Sequence, residues 1–207
     1  MGDFLLAEYQ HMCESFLRNE ESGEKRAAFF VTLVGAAGGI LGFVFGEKAQ
    51  MSRDKIFVAA AVVAAVLLCF GFLTVRRLIQ RNVETDRIIF ALRTLRRLFL
   101  KETDAKEVPN AFYAPYAKPE LREVKWNSFG KGGWLHTVAF VNALLAFIVV
   151  FAAIFARSWT IAWQCQKVIA LVLALASGVI VWIGQLTYAE RIITTKQKEL
   201  LKADPFA

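Results

Sequence analysis

Residues able to carry acid–base or metal chemistry are few in this chain. Neither histidine, His11 or His136, belongs to a Cys/His cluster or lies beside a Ser-Gly elbow or paired carboxylates. The three cysteines, Cys13, Cys69 and Cys165, form no CxxC pair. Nucleophilic catalysis needs a base within reach of the nucleophile, and a zinc site needs clustered ligands. We therefore predict that the protein is not an enzyme and that it holds neither a metal nor a cofactor.

Uncharged polar residues inside apolar segments are the other candidate functional groups, because they can form hydrogen bonds. Asn142 lies about two turns into an apolar segment, and Gln185 lies near the end of another. An amide without a partner in a bilayer costs several kcal/mol. Two roles fit Asn142 and Gln185, namely an interhelical hydrogen bond or a position that lines a pore in an oligomer.

Long apolar segments place the chain among membrane proteins. Hydrophobic residues make up 57% of its 207 residues and the mean hydropathy is +0.44, whereas soluble domains contain about 45–50% apolar residues. A transmembrane helix needs about 20 consecutive apolar residues. The sequence therefore predicts an all-α membrane protein with four transmembrane helices. The segments, all without Asp, Glu, Lys or Arg, are Ala27–Gly46, Ile56–Leu73, Leu135–Ala156 and Val168–Tyr188.

The distribution of cations predicts the orientation of these helices. Of the 25 lysines and arginines, 20 lie in 1–26, 74–134 and 189–207. Cytoplasmic loops carry an excess of Lys and Arg, so both termini and the central connection should be cytoplasmic, as in a multi-pass protein of a bacterial inner membrane. The net charge of +7 then reflects topology and attraction to lipid headgroups, and nucleic-acid binding is not expected.

Five segments follow from this topology. Helical spacing of apolar residues predicts a cytoplasmic amphipathic helix in 1–26. A first transmembrane hairpin (27–73) and a second (135–188) flank a cytoplasmic helix that is followed by an elbow rich in proline and aromatic residues (74–134). A cytoplasmic C-terminal helix and tail (189–207) end the chain.

The second transmembrane helix should continue past the membrane. From Ile56 to Glu102 the chain contains no proline, and 47 helical residues would extend roughly 70 Å, more than twice the bilayer core. Arg76 and Arg77 would anchor this helix at the cytoplasmic interface. Beyond them an apolar stripe keeps helical spacing, and it would pack either on other helices of its own chain or on symmetry mates. The stripe consists of Ile88, Leu92, Leu95 and Phe99.

The first transmembrane segment carries overlapping GxxxG spacings, which leave one helix face nearly free of side chains. Such a face admits close contact with another helix, either the second span or a copy of the chain. Together with the apolar stripe, this face predicts a homo-oligomer. The glycines are Gly35, Gly38, Gly39, Gly42 and Gly46.

An amphipathic helix, the motif "ESGEKRAAFFVTL", paired spans and a long unbroken helix follow one another in residues 1–102. This order resembles the small SLATT-type membrane effectors and related octameric membrane proteins of bacterial conflict systems. The resemblance implies a pore-like effector that alters inner-membrane permeability, in a setting such as anti-phage defence. The alternative is a membrane-anchored scaffold or sensor subunit that docks a cytoplasmic protein partner.

The predicted topology can be tested with a C-terminal tag. The tag should resist protease added to intact spheroplasts, because 189–207 carries the cations typical of a cytoplasmic segment. Lysis should expose the tag, which serves as the control. Digestion before lysis would contradict the predicted orientation.

Overall fold

The computed structural model describes residues 2–46, 53–102, 133–156 and 163–202, and each range is one helix. Each helix contains a stretch that is long and apolar enough to cross a membrane. The prediction of an all-helical chain with four such helices is therefore confirmed for the described residues. The helices are α1 (Gly2–Gly46), α2 (Arg53–Glu102), α3 (Gly133–Ala156) and α4 (Trp163–Lys202).

The helices have unequal lengths. Helix α3 has 24 residues and is about 36 Å long, which is close to the thickness of a bilayer. Helices α1, α2 and α4 have 45, 50 and 40 residues and are about 60–75 Å long. The sequence correctly indicates that α2 is a single long helix. The proline-rich elbow within 74–134 lies outside the described residues.

Helix α1 is also continuous, although the sequence divides it at residue 26 into an amphipathic helix and a transmembrane segment. No proline lies between Gly2 and Gly46, and Gly23 is accommodated inside the helix. The boundary at residue 26 is thus a change of composition and not a break in the backbone.

Neighbouring helices in the chain pack antiparallel. Phe57 of α2 lies beside Phe155 of α3, with ring centroids 5.5 Å apart, while Gly71 of α2 lies against Asn142 of α3. Asn19 of α1 lies beside Thr85 of α2, and Gly23 of α1 lies beside Arg81 of α2, so these two helices also run antiparallel. Helices α3 and α4 also run antiparallel, whereas α2 and α4 run parallel.

A single buried cluster joins all four helices. At its edge, Leu135 near the start of α3 lies in the same cluster as Leu78 and Ile79 of α2 and Ile193 of α4. Helices α1, α2 and α4 continue beyond this level, whereas α3 begins at Gly133, close to it. We call the continuing residues, 2–23, 80–102 and 194–202, the three-helix extension.

Replacing Arg87 by proline tests whether the extension depends on a continuous α2. The Arg87 side chain is exposed, and among the described residues it pairs with Glu84 alone, at 3.3 Å. Arg87→Pro should lower the free energy of unfolding by about 3 kcal/mol, because proline removes a backbone donor and clashes with the preceding turn. Arg87→Ala is the control and should change it by less than about 1 kcal/mol. Thermal unfolding in detergent measures both, and equal stability of the two variants would contradict a continuous helix.

Candidate functional site

The described part of the chain contains no group of three or more His, Cys, Asp or Glu side chains that could hold a metal ion. Two sets of uncharged and charged polar side chains meet between helices instead. One set lies where all four helices pack together through apolar residues, a region that we call the apolar or four-helix body. We call this set the amide cluster: Gly71, Asn142 and Gln185. The other lies in the extension, and we call it the junction cluster: Asn19, Glu20, Gly23, Arg81, Asn82 and Thr85.

The amide cluster joins α2, α3 and α4 around one side chain. Asn142 is completely buried and Gln185 is 5% exposed. The Asn142 Nδ2 donates a hydrogen bond to the Gln185 Oε1 at 3.2 Å. On the opposite side, the Asn142 Oδ1 occupies the space where any residue other than glycine at position 71 would place its Cβ. Gly71 therefore allows α2 to approach the amide directly.

Only some of the hydrogen-bonding groups in the amide cluster have partners. The Asn142 Oδ1 and the Gln185 Nε2 are buried and have no hydrogen-bond partner among the described residues. Exchanging the oxygen and nitrogen positions of both amides would leave the same single bond. One donor and one acceptor therefore remain in an apolar environment, where an unpaired polar group is costly. The cluster can exchange hydrogen bonds but has no group that transfers a proton at neutral pH.

Asn142 lines no path through a single chain, because none of its surface is exposed. The structure contains the interhelical hydrogen bond, which is one of the two roles that the sequence allows. A pore between copies of the chain would run along other surfaces or require Asn142 to leave its buried position.

The junction cluster holds α1 against α2. The Asn19 Nδ2 donates to the Thr85 Oγ1 at 2.9 Å and to the Arg81 carbonyl oxygen at 3.1 Å. The Thr85 hydroxyl in turn donates to the Glu20 Oε1 at 3.0 Å. Thr85 itself is only 2% exposed. This chain of hydrogen bonds fixes the register of the two helices beyond the apolar body.

Arg81 crosses the interface between α1 and α2. Its Nη1 donates to the Glu20 carbonyl oxygen at 3.4 Å, and its Nη2 donates to the Asn82 Oδ1 at 3.0 Å. The Arg81 side chain, 12% exposed, also lies 3.9 Å from the Glu20 carboxylate. Gly23 makes the crossing possible, since a Cβ there would overlap the Arg81 side chain. Removing Glu20 would leave a largely buried guanidinium without its charge partner.

A further bond extends this network to α4. The Gln197 Nε2 donates to the Asp86 Oδ2 at 2.9 Å. Asp86 follows Thr85 directly, so α1 and α4 are both bound to α2 within two turns. All three helices of the extension are therefore tied together close to the point where they leave the apolar body.

The glycine face of α1 meets none of the other residues that the structure describes. A Cβ placed at Gly35, Gly38, Gly39 or Gly42 would meet no atom within 4 Å. Of the two neighbours that the sequence allows, the second span is thus not in contact with this face. The surroundings of Gly46 lie outside the part of the chain that the structure describes.

The apolar stripe of α2 is partly covered by its own chain. Ile88, Leu92 and Leu95 are half-buried, while the side chain of Phe99 lies outside the described part. Part of the stripe is therefore covered by other helices of the same chain, and part of it is still open to a second copy. The sequence allows both partners. Arg76 and Arg77, which precede the extension on α2, are both exposed.

Close contact between helices occurs at glycines that the sequence analysis did not select. Gly178 of α4 lies against α3, where its Cβ would be 3.0 Å from the Ala143 carbonyl oxygen. Ala174 and Ala170, one and two turns earlier on α4, are completely buried. This spacing of small residues could have revealed the α3–α4 contact. Gly71 has no comparable spacing, so only its neighbours in space identify it.

No family model, curated protein or solved structure matches this chain. The resemblance of residues 1–102 to SLATT-type effectors stays a prediction.

A glycine substitution tests the amide cluster. Gly71→Ala should lower the free energy of unfolding by about 1–3 kcal/mol, because the new methyl group overlaps the Asn142 amide. Gly184→Ala on α4 is the matched control, since a Cβ there meets no atom within 4 Å. In an Asn142→Ala background the penalty of Gly71→Ala should largely disappear, which a double-mutant cycle of unfolding free energies measures. Additive effects would contradict direct contact between the two residues.

Proposed function

We propose that the protein is an oligomeric integral membrane protein that acts as a pore-like effector and alters the permeability of the bacterial inner membrane. In this proposal α1–α2 and α3–α4 form two transmembrane hairpins, and the three-helix extension lies in the cytoplasm. The observation that carries the proposal is the continuity of α1, α2 and α4 from the apolar body into the extension. An unbroken helix transmits a displacement along its axis from one end to the other.

In this proposal the extension controls the pore, and the hydrogen bonds of the extension support that role. Because the junction cluster ties α1 to α2, and Gln197 ties α4 to Asp86, the three helices respond together to a force on any one of them. Gly71 lies ten residues before Arg81 on α2, about 15 Å along the helix. A movement of the junction cluster therefore acts on the amide cluster through a short, rigid segment.

The path for ions would lie between copies of the chain. Asn142 and the residues around it close the interior of a single chain, whereas the glycine face of α1 contacts no other helix in the described part of the chain. Close packing of small-residue faces is a common mode of helix association in membranes. A ring of apolar residues can gate such a path by excluding water, so charged side chains inside the spans are not required.

A membrane-anchored scaffold is the second candidate. Large apolar side chains in the extension are exposed on α1, with Phe4, Leu6 and Leu17 at 71%, 51% and 65% exposure. Outside the bilayer such side chains favour a protein partner. In this alternative the four-helix body anchors the chain, and the extension docks a cytoplasmic protein.

Gly42→Leu tests assembly through the glycine face. The larger side chain should weaken assembly by about tenfold or more, which corresponds to about 1.4 kcal/mol. Gly184→Leu is the control, because position 184 is equally open and lies on α4. Mass photometry of the purified protein measures oligomer size, and dye or ion efflux from liposomes measures permeability.

The two measurements separate the proposals. Loss of both oligomer and efflux in Gly42→Leu alone supports assembly into a pore. Liposomes that stay tight although the wild-type protein is oligomeric would support the scaffold. A monomeric wild-type protein would overturn both the assembly surface and the pore.

A further inference from the structure

A groove opens between α1 and α2 on the outside of the four-helix body. Its volume is about 310 Å³, which is at the lower end of the range for ligand pockets. Phe29 of α1 and Phe70 and Leu73 of α2 form its apolar walls. All three side chains are more than half exposed, so the groove faces the surroundings of the protein and not its core.

Three cations border the same groove. Lys25 and Arg26 lie on α1 and Arg77 lies on α2. Because the two helices are antiparallel, these cations sit at the end of the groove nearest the extension, and the phenylalanines lie farther into the apolar body. The groove thus has a basic end and an apolar end.

Two of these cations are free to bind a ligand. Arg26 and Arg77 make no hydrogen bond or ion pair with any other described residue. Lys25 pairs with Glu21 at 2.7 Å, and both side chains are largely exposed. The basic end therefore keeps an excess of positive charge even after the Lys25–Glu21 pair is counted.

We propose that this groove binds one anionic phospholipid, with its phosphate between Arg26 and Arg77 and an acyl chain along Phe29, Phe70 and Leu73. The position of the basic end supports this occupant. Arg26 directly precedes the apolar segment of α1, and Arg77 follows that of α2 by one turn, so both lie at headgroup level. Basic pockets between transmembrane helices are suited to anionic headgroups. This site is independent of whether the assembly conducts ions.

The neighbouring arginine provides a matched control for the charge. Arg76 has the same charge, lies on the same helix and is exposed, but it does not line the groove. Native mass spectrometry of the purified full chain, titrated with phosphatidylglycerol or phosphatidylcholine of equal chain length, measures lipid retention. Arg77→Gln should reduce retention of phosphatidylglycerol by about fivefold, as expected for one cation near a headgroup. Arg76→Gln should leave it within about twofold of the wild-type protein.

A second pair of variants tests the apolar end. Phe29→Ala should weaken retention of phosphatidylglycerol, whereas Phe43→Ala, at a similarly exposed position on the same helix, should not. Inorganic phosphate at the same concentration should not displace the lipid if the acyl chain contributes to binding. Complete displacement by inorganic phosphate would identify an anion site without an acyl contact and would overturn the proposal. Equal loss in Arg76→Gln and Arg77→Gln, or equal retention of both lipids, would also overturn it.

Discussion

Contact between the Asn142 amide and the backbone of α2 at Gly71 is the constraint on which the four-helix body depends. Apolar side chains gain little by leaving lipid for one another, so helices in a membrane associate through close packing and hydrogen bonds. The missing side chain at Gly71 allows the close packing, and the bond from Asn142 to Gln185 is the interhelical hydrogen bond. Since α2, α3 and α4 each contribute one member, a change in any of them alters the fit of the other two.

The junction cluster differs from the amide cluster because it contains charged side chains. It lies where the helices leave the apolar body, and there a charged group is less costly to accommodate. Arg81 would be costly to bury without partners, yet the carbonyl of Glu20 and the amide of Asn82 accept its hydrogen bonds. Gly23 provides the space for its guanidinium. The amide cluster and the junction cluster therefore share one arrangement. In each, a polar side chain of one helix packs against a glycine of another, and the two arrangements lie at different levels of α2.

The remaining surface of α1 is divided between two kinds of neighbour. Its glycine face is smooth and uncharged, which suits another helix, whereas the side toward α2 ends in Arg26 and an open groove, which suits a lipid. Both surfaces are consistent with a helix that packs on the rest of its chain along one stripe, which includes Gly23, Ala27 and Phe30. Assembly and lipid binding would then occupy different faces and need not compete.

Local pattern alone determined the four apolar helices and the continuity of α2, because hydropathy and the absence of proline act within a few turns of the chain. The sequence also identified Asn142 and Gln185 as polar groups in need of partners. It could not pair them with each other or with Gly71, since that requires the register between helices far apart in the chain. For the same reason the GxxxG pattern from Gly35 to Gly46 predicted a smooth helix face but not its neighbour, while the close contacts formed at Gly23, Gly71 and Gly178. A glycine shows only that a helix can be approached, and tertiary packing decides which helix approaches it.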